Sequence, residues 1–348
     1  MVDKYRMLLR FCVIAGIGCL SFLMTKNAVH LDRNDPPVPA GSGYSSSVVI
    51  KTYNSRKEQE EEKFDQIPRR VITVWQGPTE TLLALGVGRH IIAAIGIPGD
   101  QYLNPAYRED YGKIPYTSFA RLNQEAALAM HPDFIVTSWG SIFTEKSIGT
   151  TDFWQARGVN TYIEEIPPET GGKRTLDHEC QFILDMGKIF HVSSKAEEIV
   201  NRIHNRIEEI EMKISPVSPK PAVMIVQFAG NRFMNWGDDY LQADIVTRLG
   251  GRILVHRKGY VNEEEILKQN PDVVFLMVNE WDYEVQDTVK RRFTDSPALN
   301  SLKCIHENRV YLLPLYEGQY SAVRTEEGVN RIAAGLYPDL FDKRTDTY

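Results

Sequence analysis

Aromatic side chains directly follow several short apolar segments of this chain. Those segments are rich in β-branched residues, which is typical of buried strands. The aromatic residues that follow them are Trp75, Trp139, Trp236, Trp281 and Tyr316. Because ligands bind beyond the carboxyl ends of strands in open α/β sheets, we expect these rings to line a shared crevice that grips a flat or bulky ligand. The alternative is that the rings fill the core beneath the loops.

Four further side chains are candidates for the same crevice. Arg232 and Arg324 would offer guanidinium donors to an anionic, oxygen-rich ligand. Surface or interlobe salt bridges are the alternative for both arginines. Tyr102 and Arg121 stand in loops of the first half of the chain that should face the same crevice.

Motifs for catalysis, metal binding and nucleic-acid binding are not evident. The eight histidines are scattered, and no two have the spacing of metal ligands. The sequence contains no G-x-S-x-G, Walker or H-E-x-x-H pattern, and its four cysteines form no C-x-x-C pair. The formal net charge of -6 disfavours a nucleic-acid partner. We therefore expect a protein that is not an enzyme and has no cofactor of its own.

The order of strands and helices predicts two α/β lobes of similar build, each with a parallel sheet. The N-terminal lobe is expected over residues 67–192 and the C-terminal lobe over 216–342. Residues 193–215 carry apolar side chains at helical spacing and should form one long, stiff helix between the lobes. A repeated pattern relates the lobes, because Glu125 precedes a Leu and Pro132-Asp133 at the same spacing as Glu264 precedes a Leu and Pro271-Asp272.

The N-terminus has the features of a secretory signal or membrane anchor over residues 1–26. Three basic residues precede an apolar run of about 14 residues, which is shorter than a typical membrane span. Gly16-Ile17-Gly18-Cys19 is similar to a bacterial lipobox, with Cys19 as the site of lipidation; an uncleaved anchor and ordinary cleavage are the alternatives. Residues 27–66 are polar and rich in Pro, Gly, Ser and Glu, which predicts a flexible tether.

Taken together, these segments resemble the class III periplasmic binding proteins, which serve importers of siderophores, haem and cobalamin. The resemblance covers roughly residues 68–341 and is carried by Arg70–Val74 with Pro78-Thr79-Glu80, by the two Glu…Pro-Asp blocks, by Leu249-Gly250-Gly251 and by the segment 297–311. It implies two Rossmann-like lobes joined by a single long α-helix.

The resemblance also implies partners. In this family one glutamate on each lobe docks onto arginines of the membrane permease dimer, which works with an ATPase, and the matching residues here are Glu125 and Glu264. The alternative is that each glutamate only favours a helix N-terminus, and Glu263 and Glu265 leave the register in the second lobe open.

The ligand is expected to be a ferric siderophore or similar iron complex, bound by a monomer at the outer face of the membrane. Tryptophan with arginine suits an anionic chelate whose iron is already coordinated. Haem and cobalamin are the alternatives within the family. An α/β enzyme or cofactor chaperone, and a tethered adhesion or signalling module, are the alternatives outside it.

Overall fold

The computed structural model describes residues 43–165, 172–279, 282 and 285–341. The predicted signal or anchor over residues 1–26, Cys19 and Trp281 lie outside the described residues. No helix in these ranges combines the length and the apolar composition that crossing a membrane requires.

An antiparallel hairpin replaces part of the predicted tether. Strand β1 spans Gly43–Tyr53 and strand β2 spans Gln59–Gln66. One face of the hairpin is buried, with Ile50 and Phe64 only 3% and 1% exposed. The prediction of a flexible tether is therefore wrong for residues 43–66, because alternate side chains of this polar segment are buried against the N-terminal lobe.

The N-terminal lobe contains a parallel five-stranded sheet. Its strands are β3 (Val71–Val74), β4 (Ile91–Ile95), β5 (Tyr116–Ser118), β6 (Phe134–Thr137) and β7 (Asn160–Ile163), in the order β5-β4-β3-β6-β7. The α-helices of this part are α1 (Gln76–Ala84), α2 (Arg108–Tyr111), α3 (Gln124–Ala129) and α4 (Thr151–Gln155). Short 3-10 turns interrupt the loops that follow β4 and β6.

Two side chains of the hairpin accept hydrogen bonds from the edge strand β7. Ile163 donates its backbone N–H to Thr52 Oγ1 at 2.9 Å, and Thr161 donates its N–H and its hydroxyl to Glu62 Oε1 at 3.2 and 3.1 Å. An uncovered edge strand exposes unpaired backbone groups to other chains. The hairpin therefore covers this edge with side chains instead of adding a strand to the sheet.

Two helices lie between the sheets of the two lobes, and the second is the long helix that joins the lobes. Helix α5 spans Leu176–Ile189, and helix α6 spans Ser193–Ile214, which makes it about 33 Å long at 1.5 Å per residue. The buried face of α6 has the predicted helical spacing and contains Ala196, Ile199, Val200, Ile203, Ile207, Ile210 and Ile214.

The C-terminal lobe repeats the α/β arrangement. Its strands are β8 (Ala222–Ala229), β9 (Arg232–Asn235), β10 (Arg252–Ile253), β11 (Gly259–Val261), β12 (Val273–Val278) and β13 (Val310–Pro314). Strands β10, β8, β12 and β13 are parallel, whereas β9 pairs antiparallel with both β8 and β11. Its helices are α7 (Leu241–Arg248), α8 (Glu263–Gln269), α9 (Gln286–Thr294), α10 (Lys303–His306), α11 (Leu315–Gly318) and α12 (Thr325–Leu336).

The predicted fold class is confirmed: two α/β lobes with parallel sheets are joined by a long helix. Strands β9 and β11 were not predicted, and they extend the second sheet at one edge. One hydrophobic core includes side chains from both lobes and from the connecting helices, among them Leu82, Ile183, Ile203 and Phe275. The lobes are therefore packed together at their base.

Candidate functional site

Trp75 lies at the carboxyl end of β3 in a strained backbone conformation. Its φ of 77° is in a region that favours glycine. Two contacts hold it there. Its backbone N–H donates to the carbonyl oxygen of Ile95 at 2.7 Å, and its ring lies so close to Gly96 that a Cβ at Gly96 would come within 2.6 Å of the indole. The ring is half-buried, as expected for the wall of a crevice.

Trp139 lies at the carboxyl end of β6 and contacts Tyr320 of the C-terminal lobe. The ring centroids are 4.3 Å apart, with an interplanar angle of 59°. Tyr320 is buried, its φ is 49°, and the guanidinium of Arg174 lies 4.8 Å from its ring centroid. The structure thus brings a predicted site residue together with two residues that the sequence analysis missed.

A buried ionic network supports this aromatic contact. Ser138 donates its hydroxyl to Glu164 at 2.9 Å, and Arg174 forms ion pairs with Glu164 and Glu179. Glu179 in turn accepts the backbone N–H of Ala322 at 2.7 Å. The network links the end of β6 to the segment that contains Tyr320.

The charges in this network shift one another's pKa values. Burial raises the pKa of Glu164, although the charge of Arg174 acts in the opposite direction. Burial alone would lower the pKa of Arg174, but the carboxylates of Glu179 and Glu164 outweigh it and hold that pKa above its usual value. Arg174 therefore keeps its charge beneath the Tyr320 ring.

Arg324 occupies a second buried network, which joins the two lobes. It is only 4% exposed and pairs with Glu80 of the N-terminal lobe at 3.3 Å, with Glu317 at 3.4 Å and with Glu327. The sequence left open whether Arg324 faces a ligand or forms an interlobe salt bridge. The structure shows the salt bridge, so three carboxylates engage this charge.

Tyr102 and Tyr316 lie beside Arg324. The guanidinium of Arg324 lies 4.6 Å from the centroid of the Tyr316 ring, and its Nη1 is 3.5 Å from the carbonyl oxygen of Tyr102. Tyr316 is 4% exposed, whereas Tyr102 is half-buried and packs against Tyr316. Burial raises the pKa of Tyr316, so its hydroxyl stays protonated.

The strands β9 and β11 present a face of alternating cationic and aromatic side chains. Arg232 pairs with Ala229 at the carboxyl end of β8, is exposed, and holds its guanidinium 4.3 Å from the ring centroid of Tyr260. Tyr260 itself is 55% exposed. Lys258, which directly precedes β11, places Nζ 4.8 Å from the ring centroid of Trp236, which directly follows β9.

Trp236 lies farther from the carboxyl edge than predicted. Its backbone N–H donates to the carbonyl oxygen of Ile225, well before the end of β8, and the ring is 7% exposed against Tyr240. The structure thus gives Trp236 the core position that was the alternative for these rings. Arg121 is exposed and has no hydrogen bond or ion pair with any described residue.

Glu125 and Glu264 occupy equivalent positions in the two lobes. Asn123 caps helix α3 and Asn262 caps helix α8, so each glutamate is the second residue of its helix. Both glutamates are exposed. The structural repeat therefore makes Glu264 the positional counterpart of Glu125.

The neighbours of Glu264 are already engaged. Glu265 accepts the backbone N–H of Asn262 at 3.0 Å, and Glu263 accepts the hydroxyl of Ser296 at 3.0 Å. Glu264 has no hydrogen bond or ion pair within the described part of the chain. Of the three consecutive acids, it is the one that is free to meet a partner.

Among the described residues, no cluster of three or more His, Cys, Asp or Glu side chains could hold a metal ion. What the described carboxyl ends offer is aromatic surface from both lobes and an exposed guanidinium on the C-terminal lobe. This arrangement can bind an anionic ligand with flat or apolar parts.

Comparison with known proteins gives consistent matches. Residues 71–316 match the model of the family described as periplasmic binding protein. A periplasmic binding protein from Veillonella parvula DSM 2008 superposes with a TM-score of 0.80 at 31% identity, over 87% of this chain and 95% of that one.

More distant relatives carry names that refer to iron or haem. The structure titled ABC-type Fe3+-hydroxamate transport system, from Saccharomonospora viridis DSM 43017, has a TM-score of 0.67 at 19% identity and covers 82% of this chain and 98% of that one. The high-affinity heme uptake system protein IsdE of Staphylococcus aureus (strain MRSA252) is 21% identical over 76% of this chain and 85% of its own length.

Proposed function

The chain belongs to the periplasmic binding protein family, as the resemblance in its sequence predicted, and from this premise we propose that it is the receptor that delivers a ferric siderophore to an ABC importer. The family consists of substrate-binding proteins of transport systems and not of enzymes. The ligand, the anchor and the docking residues are the parts that we add.

The observation that carries the proposal is the Trp139–Tyr320 contact across the two lobes, together with the exposed guanidinium of Arg232 at the carboxyl end of β8. A ferric siderophore is bulky, and its iron is already coordinated by the chelator's own oxygen atoms. A protein binds such a ligand with aromatic surface and with hydrogen-bond donors to its oxygen atoms, rather than with metal ligands. Arg232 suits this task because a guanidinium is weakly hydrated and keeps its charge.

Haem is the second candidate, because one relative is named for haem uptake. Haem-binding members of the family often use Tyr or His on the iron. Tyr316 does not suit that role here, since it is 4% exposed beneath Arg324 and its pKa is raised by burial. This argument removes Tyr316 as an iron ligand and leaves the half-buried Tyr102 as the tyrosine that haem would use. Cobalamin remains a candidate for the same aromatic surface.

Docking and anchoring complete the proposal. Glu125 and Glu264 would meet the permease dimer, one carboxylate from each lobe, as suits a pseudo-symmetric receptor on a two-fold partner. The permease would work with its ATPase. Lipidation of Cys19, or an uncleaved N-terminal anchor, would hold this monomeric receptor at the outer face of the membrane.

Fluorescence titration tests the ligand. The purified protein is titrated with a ferric hydroxamate siderophore, a ferric catecholate siderophore, haem and cobalamin, and each iron-free siderophore is the matched control. We expect one ferric siderophore to quench tryptophan emission at sub-micromolar concentration and to raise the melting temperature, while its iron-free form does neither. If only haem or only cobalamin binds, that compound is the ligand and the siderophore is not. If none of the four compounds gives a response, the proposal is overturned.

A further inference from the structure

A pocket of about 470 Å³ lies beneath the N-terminal hairpin, apart from the Trp139–Tyr320 contact. One wall is the segment Val49–Tyr53 of β1, and another is the end of β7. Its size is within the range of small-molecule sites, which is roughly 300–1,000 Å³. The hairpin that forms its first wall precedes the segment matched by the family model.

One face of helix α5 forms the remaining wall. The residues that line the pocket stand at the spacing i, i+3, i+4, i+7 and i+10, so they share one side of the helix. They are His178, Gln181, Phe182, Asp185 and Lys188. Four of the five are polar or charged, although this side of the helix faces the protein's own hairpin.

The carboxylates in the pocket are already used by internal donors. Asp185 accepts the hydroxyl of Tyr162 at 3.1 Å and the amide of Gln181 at 2.7 Å. Glu164 is engaged by Ser138 and Arg174. A ligand that needs acceptors from the protein would therefore find few of them.

The donors, in contrast, are available. Lys51 has no hydrogen bond or ion pair with any residue in the described ranges, and Lys188 has only a long contact of 3.5 Å with Asp185. His178 accepts the backbone N–H of Thr175 on Nδ1 at 3.1 Å, which places its proton on Nε2 and makes that nitrogen a donor. Two solvent-exposed ammonium groups without a close internal partner, and an imidazole N–H, thus stand around one pocket.

From this excess of donors we propose that the pocket is a second binding site, and that its ligand is a small organic acid with more than one carboxylate. Each lysine would pair with one carboxylate of the ligand, and the half-buried ring of Tyr53 would cover part of its carbon skeleton. This proposal does not depend on siderophore binding. The pocket shares Arg174 and Glu164 with the network beneath the aromatic contact, but its other side chains are different.

Isothermal titration calorimetry with citrate tests the site, using the full chain at neutral pH and low salt. We expect citrate to bind the unaltered protein and to bind the variant Lys51→Gln/Lys188→Gln at least tenfold more weakly. The matched control is Lys195→Gln, which removes a half-exposed lysine from α6 and should leave citrate affinity unchanged. A melting curve for each variant checks that it is folded.

Parallel titrations identify the ligand class. Inorganic phosphate and acetate should bind at least tenfold more weakly than citrate, because neither can bridge two lysines with separate carboxylates. The proposal is overturned if citrate fails to bind the unaltered protein, if the double variant binds it equally well, or if phosphate binds as tightly as citrate. Arg232→Gln should lower the affinity for the siderophore and leave the affinity for citrate unchanged. This result separates a failure of this proposal from a failure of the proposed function.

Discussion

The ring of Trp139 lies 4.3 Å from the ring of Tyr320, and the two residues belong to different lobes. Tyr320 adopts a φ of 49°, and its carbonyl oxygen is so near to Gly77 that a Cβ at Gly77 would come within 2.4 Å of it. The segment around Tyr320 is therefore held in place by close packing on helix α1, by the ring of Trp139 and by the hydrogen bond from Ala322 N–H to Glu179. This segment joins the two lobes near their carboxyl ends.

The aromatic contact should contribute to ligand affinity. In Trp139→Ala the ring is lost, and aromatic pairs contribute about 0.5–1.5 kcal/mol beyond their buried area, so we expect ferric siderophore affinity to fall roughly tenfold. In Trp139→Phe, which keeps a ring, most of that affinity should remain. Direct titration of both variants measures the difference. Equal affinity in the alanine variant and the unaltered protein would remove Trp139 from the site.

The docking glutamates should affect transport without affecting binding. Both carboxylates are exposed and equivalent in the two helices, so Glu125→Ala with Glu264→Ala should abolish siderophore uptake by cells while the Kd of the purified protein stays the same. The matched control is Glu208→Ala with Glu211→Ala, which removes two exposed carboxylates from helix α6. A loss of affinity in the first variant would place these residues in the ligand site instead.

The hairpin should stabilise the N-terminal lobe through Glu62. Glu62→Ala leaves the N–H and hydroxyl of Thr161 without their acceptor, and each unsatisfied buried donor costs about 1–3 kcal/mol. We expect the free energy of unfolding to fall by at least about 2 kcal/mol. Glu61→Ala is the control, because Glu61 is the neighbouring residue on the exposed face of the same strand. Urea denaturation of the two variants measures the difference. Equal midpoints would contradict the stabilising role of Glu62.

Gly77 should be required for the close approach of the lobes. Its Cβ in Gly77→Ala would meet the carbonyl oxygen of Tyr320 at 2.4 Å, so the backbone must shift, and overpacking of this kind costs about 1–3 kcal/mol. Gly112→Ala is the matched control, since a Cβ there has nothing nearer than 3.4 Å. Thermal unfolding should show a lower Tm for the first variant alone, and an unchanged Tm would mean that the contact relaxes freely.

The sequence predicted the central parallel strands of the two lobes because their apolar runs reflect burial directly. It did not predict the strands β5, β7, β9 and β11. It failed for residues 43–66, where charge density suggested disorder. In that segment Glu62 is buried only because Thr161 and its neighbours supply partners that lie 99 residues away, and such long-range pairing leaves no local signal. A local signal did exist at Asn262, whose spacing to Glu265 is that of a capping box. That spacing fixes Glu264 as the counterpart of Glu125.

The site residues were harder to predict than the fold. Trp139 and Arg232 lie at the ends of strands, where the order of elements places them. Tyr320 and Arg174 lie in connecting segments, and their roles depend on contacts between the lobes. Arg324 is the opposite case, a residue that was a ligand candidate in the sequence. Only the fold reveals that Glu80 and Glu317 neutralise its charge.

The partly buried carboxyl of Glu327 should make stability depend on pH. Burial raises its pKa to about 7, against an ordinary value of 4.5, although Arg324 acts in the opposite direction. Between these two values the folded protein binds more protons at this site than the unfolded chain does, so the free energy of unfolding falls as the pH rises. The contribution of Glu327 is complete below its unfolded pKa and is lost as the pH passes through about 7.

Substitution of Glu327 isolates this effect. Glu327→Gln keeps an acceptor for Asn104, which donates to Glu327 at 2.7 Å, but it cannot titrate. Urea denaturation between about pH 5 and about pH 8 should therefore show a shallower decline in this variant than in the unaltered protein. Glu208→Gln, an exposed substitution on helix α6, should keep the original decline. If the free energy of unfolding of Glu327→Gln and of the unaltered protein declined equally with pH, the proton responsible for the decline would be bound by another group.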